Sequence, residues 1–259
     1  VSASSTSGSE TSRSGAWRAA ASWLREIAIV VVGALVASTL LRLFVAQMFV
    51  IPTGSMENTL LVRDRVAVQK IAGYSRGDII VFRDTQGWLE PAKQEKDPFK
   101  RALVFVGLAP DENSSHLIKR LIGLAGDHVT CCDARGRVTV NGTALNETEY
   151  LYIDPTTGRQ VEPSAVAFDL VVPAGTVFVM GDHRNDSEDS RCHLSDDTDG
   201  GPEGSKAFIP VENIVGTAIA VVYPFDRFHG ISRPQTFESV AAGGTPPDAP
   251  VLTGNKVVC

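Results

Sequence analysis

The chain has 259 residues, of which 43 % are hydrophobic, enough to bury a sizeable core in one large or two small domains. Its formal net charge of -6 and the absence of a basic tract exclude a nucleic-acid binder, whose footprint is a basic face. The 4 cysteines lie in the second half and none has the C-x-x-C spacing of a zinc site, so neither a metal nor a cofactor is expected. Outside the cytoplasm they could pair in several ways. A bridge between the adjacent Cys131 and Cys132 would be strained, so each is expected to reach elsewhere.

Residues 1–24 open with a run of Ser, Thr, Gly and Ala that holds almost no large apolar side chain and read as a disordered tail. Residues 25–46 read as a transmembrane anchor: Ile27 to Leu41 carries no charge, and the apolar character resumes after Arg42. At about 1.5 Å per residue, roughly 20 residues cross a hydrocarbon core of ~30 Å. Ile27 to Val45 suffices if Arg42 snorkels to the interface, and Trp17 and Trp23 sit where aromatic belts form. A cleavable signal peptide would be shorter and would end in a small-residue site that this segment lacks. Arginines and lysines balance across the segment, so charge alone leaves the orientation open.

From residue 47 to 231 the pattern turns short and strand-like. The runs RVAVQK, DIIVF, RVTVNGTAL, TVFVMGD and IVGTAIAVVYP are separated by Gly, Pro, Asn and Asp, which predicts a mostly β domain of antiparallel sheet. Asn141-Gly142 predicts a tight hairpin turn, because both residues accept positive φ. Residues 84–115, with Pro91, Pro98 and Pro110, read as an inserted loop or subdomain, and residues 232–259, rich in Gly, Pro and Ala, as a C-terminal tail of low order.

Three clusters carry candidate chemistry. The first, Ile51-Pro52-Thr53-Gly54-Ser55-Met56-Glu57-Asn58-Thr59-Leu60, can hold a tight backbone path and present Ser55, a nucleophile only if a base is near. The second, Leu117 to Asp127, sets Lys119 among apolar neighbours. Period-2 alternation puts Leu117, Lys119 and Leu121 on one strand face, and burial would push the amine below its usual value of about 10.4. The third, Gly181 to Arg191, alternates acids and arginines in the manner of an ion-paired loop. A calcium loop starting at Ser195 fails because its twelfth position is Lys206. A Ser-His-Asp triad has no G-x-S-x-G elbow and no histidine nominated by its neighbours.

Taken in order, the apolar anchor, IPTGSMENTL, RGDIIVF, IKRLIGLAGD and GDHRNDSEDSR resemble the type I signal peptidases, the bacterial leader peptidases of the Ser/Lys class, in their single-anchor form. The resemblance covers roughly Leu24 to Tyr223. It implies a serine endopeptidase of the cytoplasmic membrane, single-pass, with the catalytic domain on the outer side, whose partners are preprotein signal peptides and the lipid bilayer. By position it makes Ser55 the nucleophile and Lys119 the general base. The Thr53 hydroxyl and the Ser55 N–H would form the oxyanion hole, and Ser187 would orient the lysine. Asp182, Arg184, Asp189 and Arg191 become structural, and Ile51, Pro52, Met56, Leu60, Leu117 and Ile118 would line shallow pockets for small side chains at substrate positions -1 and -3. The chain departs from the family pattern at Asn58, where proline is common, at Ala125, where proline is frequent, and at His183, where asparagine is common. A self-cleaving repressor would share the dyad but lack the anchor. A non-catalytic anchored β domain, binding partners through its acidic loops, is the alternative from another class.

Overall fold

The computed structural model describes residues 11–44, 46–89, 97 and 115–253. It divides into two units, Val1–Val45 and Ala46–Cys259.

The first unit is a single helix, α1, Thr11–Phe44. It starts earlier than the expected anchor and takes in residues 11–24 of the expected disordered tail, a stretch whose 4 Ala and 2 Arg are good helix formers. The part of the expected tail before Thr11 lies outside the described residues. Ser22–Thr39 is long and apolar enough to cross a membrane, and none of it is buried against other parts of the chain. The Thr39 hydroxyl donates to the Leu35 carbonyl at 2.8 Å, so its polar group is satisfied within the helix, as a hydrocarbon surrounding requires.

The second unit is built from two antiparallel sheets. The larger takes strands in the order β1 (Ala46–Val50), β2 (Arg65–Gln69), β11 (Ile214–Tyr223), β3 (Ile79–Arg83), β4 (His116–Leu124), β9 (Thr176–Met180), β10 (Ile209–Pro210), with β12 (His229–Gly230) also paired to β11. The smaller runs β13 (Val251–Leu252), β8 (Phe168–Val171), β5 (His128–Cys131), β6 (Thr139–Val140), β7 (Thr143–Ala144). The mostly β expectation is met. At the β6–β7 turn Asn141 and Gly142 take φ of 52° and 77°, the left-handed pair a two-residue hairpin needs.

Strand β3 is buried on both faces. Ile79 and Val81 pack with Ile51, Met56, Leu60, Val66 and Ile118, while Ile80 and Phe82 pack with Trp88, Leu121, Val177 and Val179. Its uninterrupted apolar run is the sequence form of that double burial. A further core lies around the smaller sheet, where Ile122, Val129, Leu170, Phe178 and Phe208 meet. Of the predicted insertion, residues 90–96 and 98–114 lie outside the described residues. Its beginning is tied down, since Trp88 donates its indole N–H to the Lys206 carbonyl and stacks on His193.

Two further expectations are corrected. The segment after Ser232 does not hang loose: Phe237 and Val240 are buried in the core, and Val251 and Leu252 pair with Val171 and Leu170. Its glycines serve close approach, because the N–H of Gly244 bonds to the Gly126 carbonyl at 2.9 Å and a Cβ on Gly126 would strike the Gly244 carbonyl oxygen. Residues 254–259 lie outside the described residues. Cys131 and Cys132 are bonded to each other across a cis peptide bond that sets their Cα atoms 2.9 Å apart, and Cys192 is also in a disulfide.

Replacing Phe237 with Ala opens a cavity beside Tyr150 and Gly77. It should lower the unfolding free energy of the detergent-solubilised chain by about 3–4 kcal/mol, read from the denaturant midpoint; a loose tail would give no change.

Candidate active site

Ser55 sits in a single 3₁₀ turn, Gly54–Met56, entered from an extended Thr53. The segment is stitched at both ends. Ile51 donates to the Asp64 carbonyl and accepts from Arg63, and the Leu61 N–H is held by the Asp64 carboxylate, itself paired with Arg227. Asn58 takes φ of 85°, a left-handed path that proline, locked near -65°, cannot follow. The turn here is therefore drawn differently from one with proline at that place.

Lys119 stands opposite Ile80 in the β3–β4 register, while Leu117 and Leu121 stand opposite Phe82 and Val179. The expected shared apolar face is thus present. The lysine residue is only 3 % exposed, and its Nζ donates to the Ser55 Oγ at 2.5 Å across 64 positions of sequence. Burial pushes the amine down to about 8. The Asp189, Asp182 and Asp186 carboxylates oppose that fall and the Arg191 guanidinium adds to it. The Thr53 hydroxyl lies 3.5 Å from the Ser55 hydroxyl. Among the described residues, the side-chain contacts of the Ser55 hydroxyl are with Lys119 and Thr53, and no histidine is placed to form a triad.

Four charges of the third cluster, Asp182, Arg184, Asp189 and Arg191, are buried and paired, while Asp186 and Glu188 are exposed. Arg191 grips Asp189 through Nε and Nη2 at 2.8 Å, and the N–H of Gly181 adds a third bond to the same carboxylate. Burial pushes Asp189 up, but Arg191 and that N–H outweigh it and hold the carboxyl below its ordinary value. Asp182 accepts two bonds from Arg120, at 2.7 and 2.6 Å, and one from the Thr59 hydroxyl. Arg184 pairs with Glu147 and donates to the Gly181 carbonyl. Ser187 donates to Asp189 Oδ2 at 2.8 Å, so the residue expected to orient Lys119 touches the carboxylate that faces the lysine.

Ile51, Met56, Leu60 and Ile118 come together in one apolar cluster, with Pro52 exposed beside Ile51. Leu117 belongs to the opposite cluster, against Ile80 and Phe82. Sequence reading passed over Arg120 and Glu147. A charge inside an apolar strand was the available signal for Arg120; for Glu147, alone in a turn, there was none. It also passed over Gly181, where a Cβ would collide with the Ser187 hydroxyl and the Ser55 carbonyl oxygen.

Residues 23–223 match the family model described as signal peptidase, peptidase S26. The chain belongs to the signal peptidase family, peptidase S26. It is 36 % identical over 238 residues to "Signal peptidase I" of Mycobacterium tuberculosis, covering 82 % of this chain and 76 % of the relative. It is 33 % identical over 201 residues to that of Leptolyngbya laminosa, covering 76 % and 78 %. A solved signal peptidase I from Enterococcus faecalis V583 shares 25 % identity, with 57 % of this chain and 97 % of that chain covered and a TM-score of 0.34. The family's enzymes are serine endopeptidases, and the buried Ser55–Lys119 contact lies inside the matched region.

In this peptidase the Asp189 carboxylate carries two duties: it neutralises Arg191, and it raises the Lys119 amine. Asp189→Asn should therefore lower stability by ~3–5 kcal/mol, because Arg191 is left buried without a counter-charge. It should also move the Lys119 titration to lower pH, followed by carbon NMR of labelled lysine. An unchanged titration would mean that Asp189 does not act on the amine.

Proposed function

We propose that this signal peptidase cleaves preproteins by attack of Ser55 on the scissile carbonyl, with neutral Lys119 as general base. One observation carries the reading: a lysine amine shielded from water, titrating near 8, lies 2.5 Å from the hydroxyl it must deprotonate. The Ser55 proton passes to Nζ as Oγ bonds to the carbonyl carbon. The oxygen that gains the negative charge is received by the Ser55 N–H and the Thr53 hydroxyl. Collapse expels the amine of the mature protein, which takes the proton back from the Lys119 ammonium. Water, deprotonated in turn by Lys119, then hydrolyses the ester and frees the signal peptide as a carboxylic acid. Ser187 acts through Asp189, holding the carboxylate that faces the base.

The apolar cluster of Ile51, Met56, Leu60 and Ile118, with the exposed Pro52 beside it, suits side chains as small as alanine at positions -1 and -3, since a large one would meet filled core; Leu117, in the opposite cluster, takes no part. Helix α1 is the anchor in the cytoplasmic membrane, and the domain from Ala46 onward lies on the outer face. Its exposed Met48, Val50, Leu61, Val62, Phe225 and Phe228 fit apposition to lipid. Anchoring raises the effective concentration of enzyme toward substrates whose own apolar segment is still in the bilayer.

Lys119→Met tests the base and its setting together. Cleavage of a preprotein should be lost; retained cleavage sinks the reading. The folded amine titrates near 8 against an ordinary 10.5, so the unfolded chain binds more protons between those values. The wild-type enzyme should thus gain stability as pH rises from about 8 to about 10.5, by roughly 3 kcal/mol. The methionine variant should lose that rise.

A further inference from the structure

The histidine next to Asp182 is placed to act on the nucleophile's own backbone. His183 makes two contacts with consecutive carbonyls of the nucleophile turn: its backbone N–H donates to the Ser55 carbonyl at 3.1 Å, and its ring Nδ1 lies 3.3 Å from the Gly54 carbonyl oxygen. The ring is mostly buried and stacked on Tyr152, with centroids 3.7 Å apart and planes 26° from parallel. Among the described residues, the contacts of Nδ1 are with acceptors: the Gly54 carbonyl, Glu57 Oε2 at 3.3 Å, and Asp186 Oδ2 at 3.9 Å. A nitrogen so surrounded carries the hydrogen, whether the ring is neutral or charged.

The Gly54 carbonyl and the Ser55 N–H are the two ends of one peptide group. In a trans peptide these point in opposite directions within a rigid plane, so fixing the oxygen fixes the aim of the N–H. A hydrogen bond to the oxygen also polarises the group and makes its N–H a better donor. The Gly54 carbonyl accepts from the Glu57 N–H at 2.8 Å as well, so two donors hold this one oxygen. We propose that His183 is a positioning residue for the oxyanion hole, aiming and polarising the Ser55 N–H through the Gly54 carbonyl. The inference rests on the assignment of that N–H to the oxyanion hole. It gives His183 a role apart from Lys119, whose charge environment is set by Asp189, Arg191, Asp182 and Asp186.

Two variants separate the hydrogen bond from the stack. His183→Phe keeps a ring against Tyr152 and loses the donor; His183→Asn loses the ring and keeps an N–H near the place of Nδ1. With rates normalised to the protein labelled at completion by a serine-reactive acyl probe, His183→Phe should lower kcat about tenfold with KM unchanged, while His183→Asn stays within about threefold of wild type. Affinity for a peptide boronate, whose tetrahedral adduct places an oxygen in the hole, should fall with kcat in the Phe variant. The reverse pattern, Asn impaired and Phe normal, would make the stack the only contribution and overturn the proposal, as would two unimpaired variants. Thr53→Val tests the underlying assignment separately, with an expected loss of about a hundredfold in kcat. If that variant is unimpaired, the oxyanion hole is misassigned. If it is impaired and His183→Phe is not, the hole stands and His183 has no part in it. Should His183→Phe label with no probe at all, His183→Asn decides: a rate within threefold supports the donor, and a tenfold loss refutes it.

Discussion

An amine taken out of water beside a serine hydroxyl is the constraint around which this domain is arranged. A charged ammonium in the interior costs several kcal/mol, and the cost falls if the group gives up its proton, which is also what a base must do. The Lys119 environment sets that balance. Burial alone would push the amine far down, but three carboxylates face it and hold its value near 8. Those carboxylates must not bind the lysine outright. Asp189 is committed to Arg191 and Asp182 to Arg120, with good two-point geometry in both cases, so each contributes field to Lys119 without becoming its partner. Arg191 and Arg120 are therefore what allows buried acids to tune a buried amine.

The sheet supplies the meeting of Lys119 and Ser55. Lys119 lies mid-strand on β4, fixed by its register with β3 and flanked by a core on either face of that strand. Ser55 is on a turn, but one whose carbonyls, N–H groups and even missing side chains are specified by neighbours: Asp64 behind it, His183 beside it, and Gly181 pressed against it where any larger residue would displace both Ser55 and Ser187. Ser55 is held in place on its turn because three separate segments close around it, the stretch at Asp64, strand β4 with Lys119, and Gly181 to Ser187.

The long strands were legible in the sequence because their apolar runs and turn residues agree; Asn141-Gly142 is the plainest case. Ser55 and Lys119 were legible only through the company of four motifs in order, since a Pro-Thr-Gly-Ser turn and a strand lysine are each ordinary. What escaped reading was long-range. The glycines and prolines after Ser232 look like the composition of a loose tail, yet Gly243 and Gly244 lack a side chain so that one backbone can lie against Gly126. Glu147 is one acid in a polar turn until the fold brings Arg184 and Tyr150 to it. The insertion between Trp88 and Ser115 carries no periodic pattern, and most of it lies outside the described residues.

The central claim is that a desolvated Lys119 activates Ser55. The most direct measurement is the rate at which a serine-reactive acyl probe labels Ser55 in the intact wild-type chain, followed by mass spectrometry across pH. The account predicts a rate that climbs about tenfold per pH unit below pH 8 and levels above it, where the amine is mostly neutral. A rate that goes on rising toward pH 10.5, as for a lysine in water, or a label found on another residue, would contradict it.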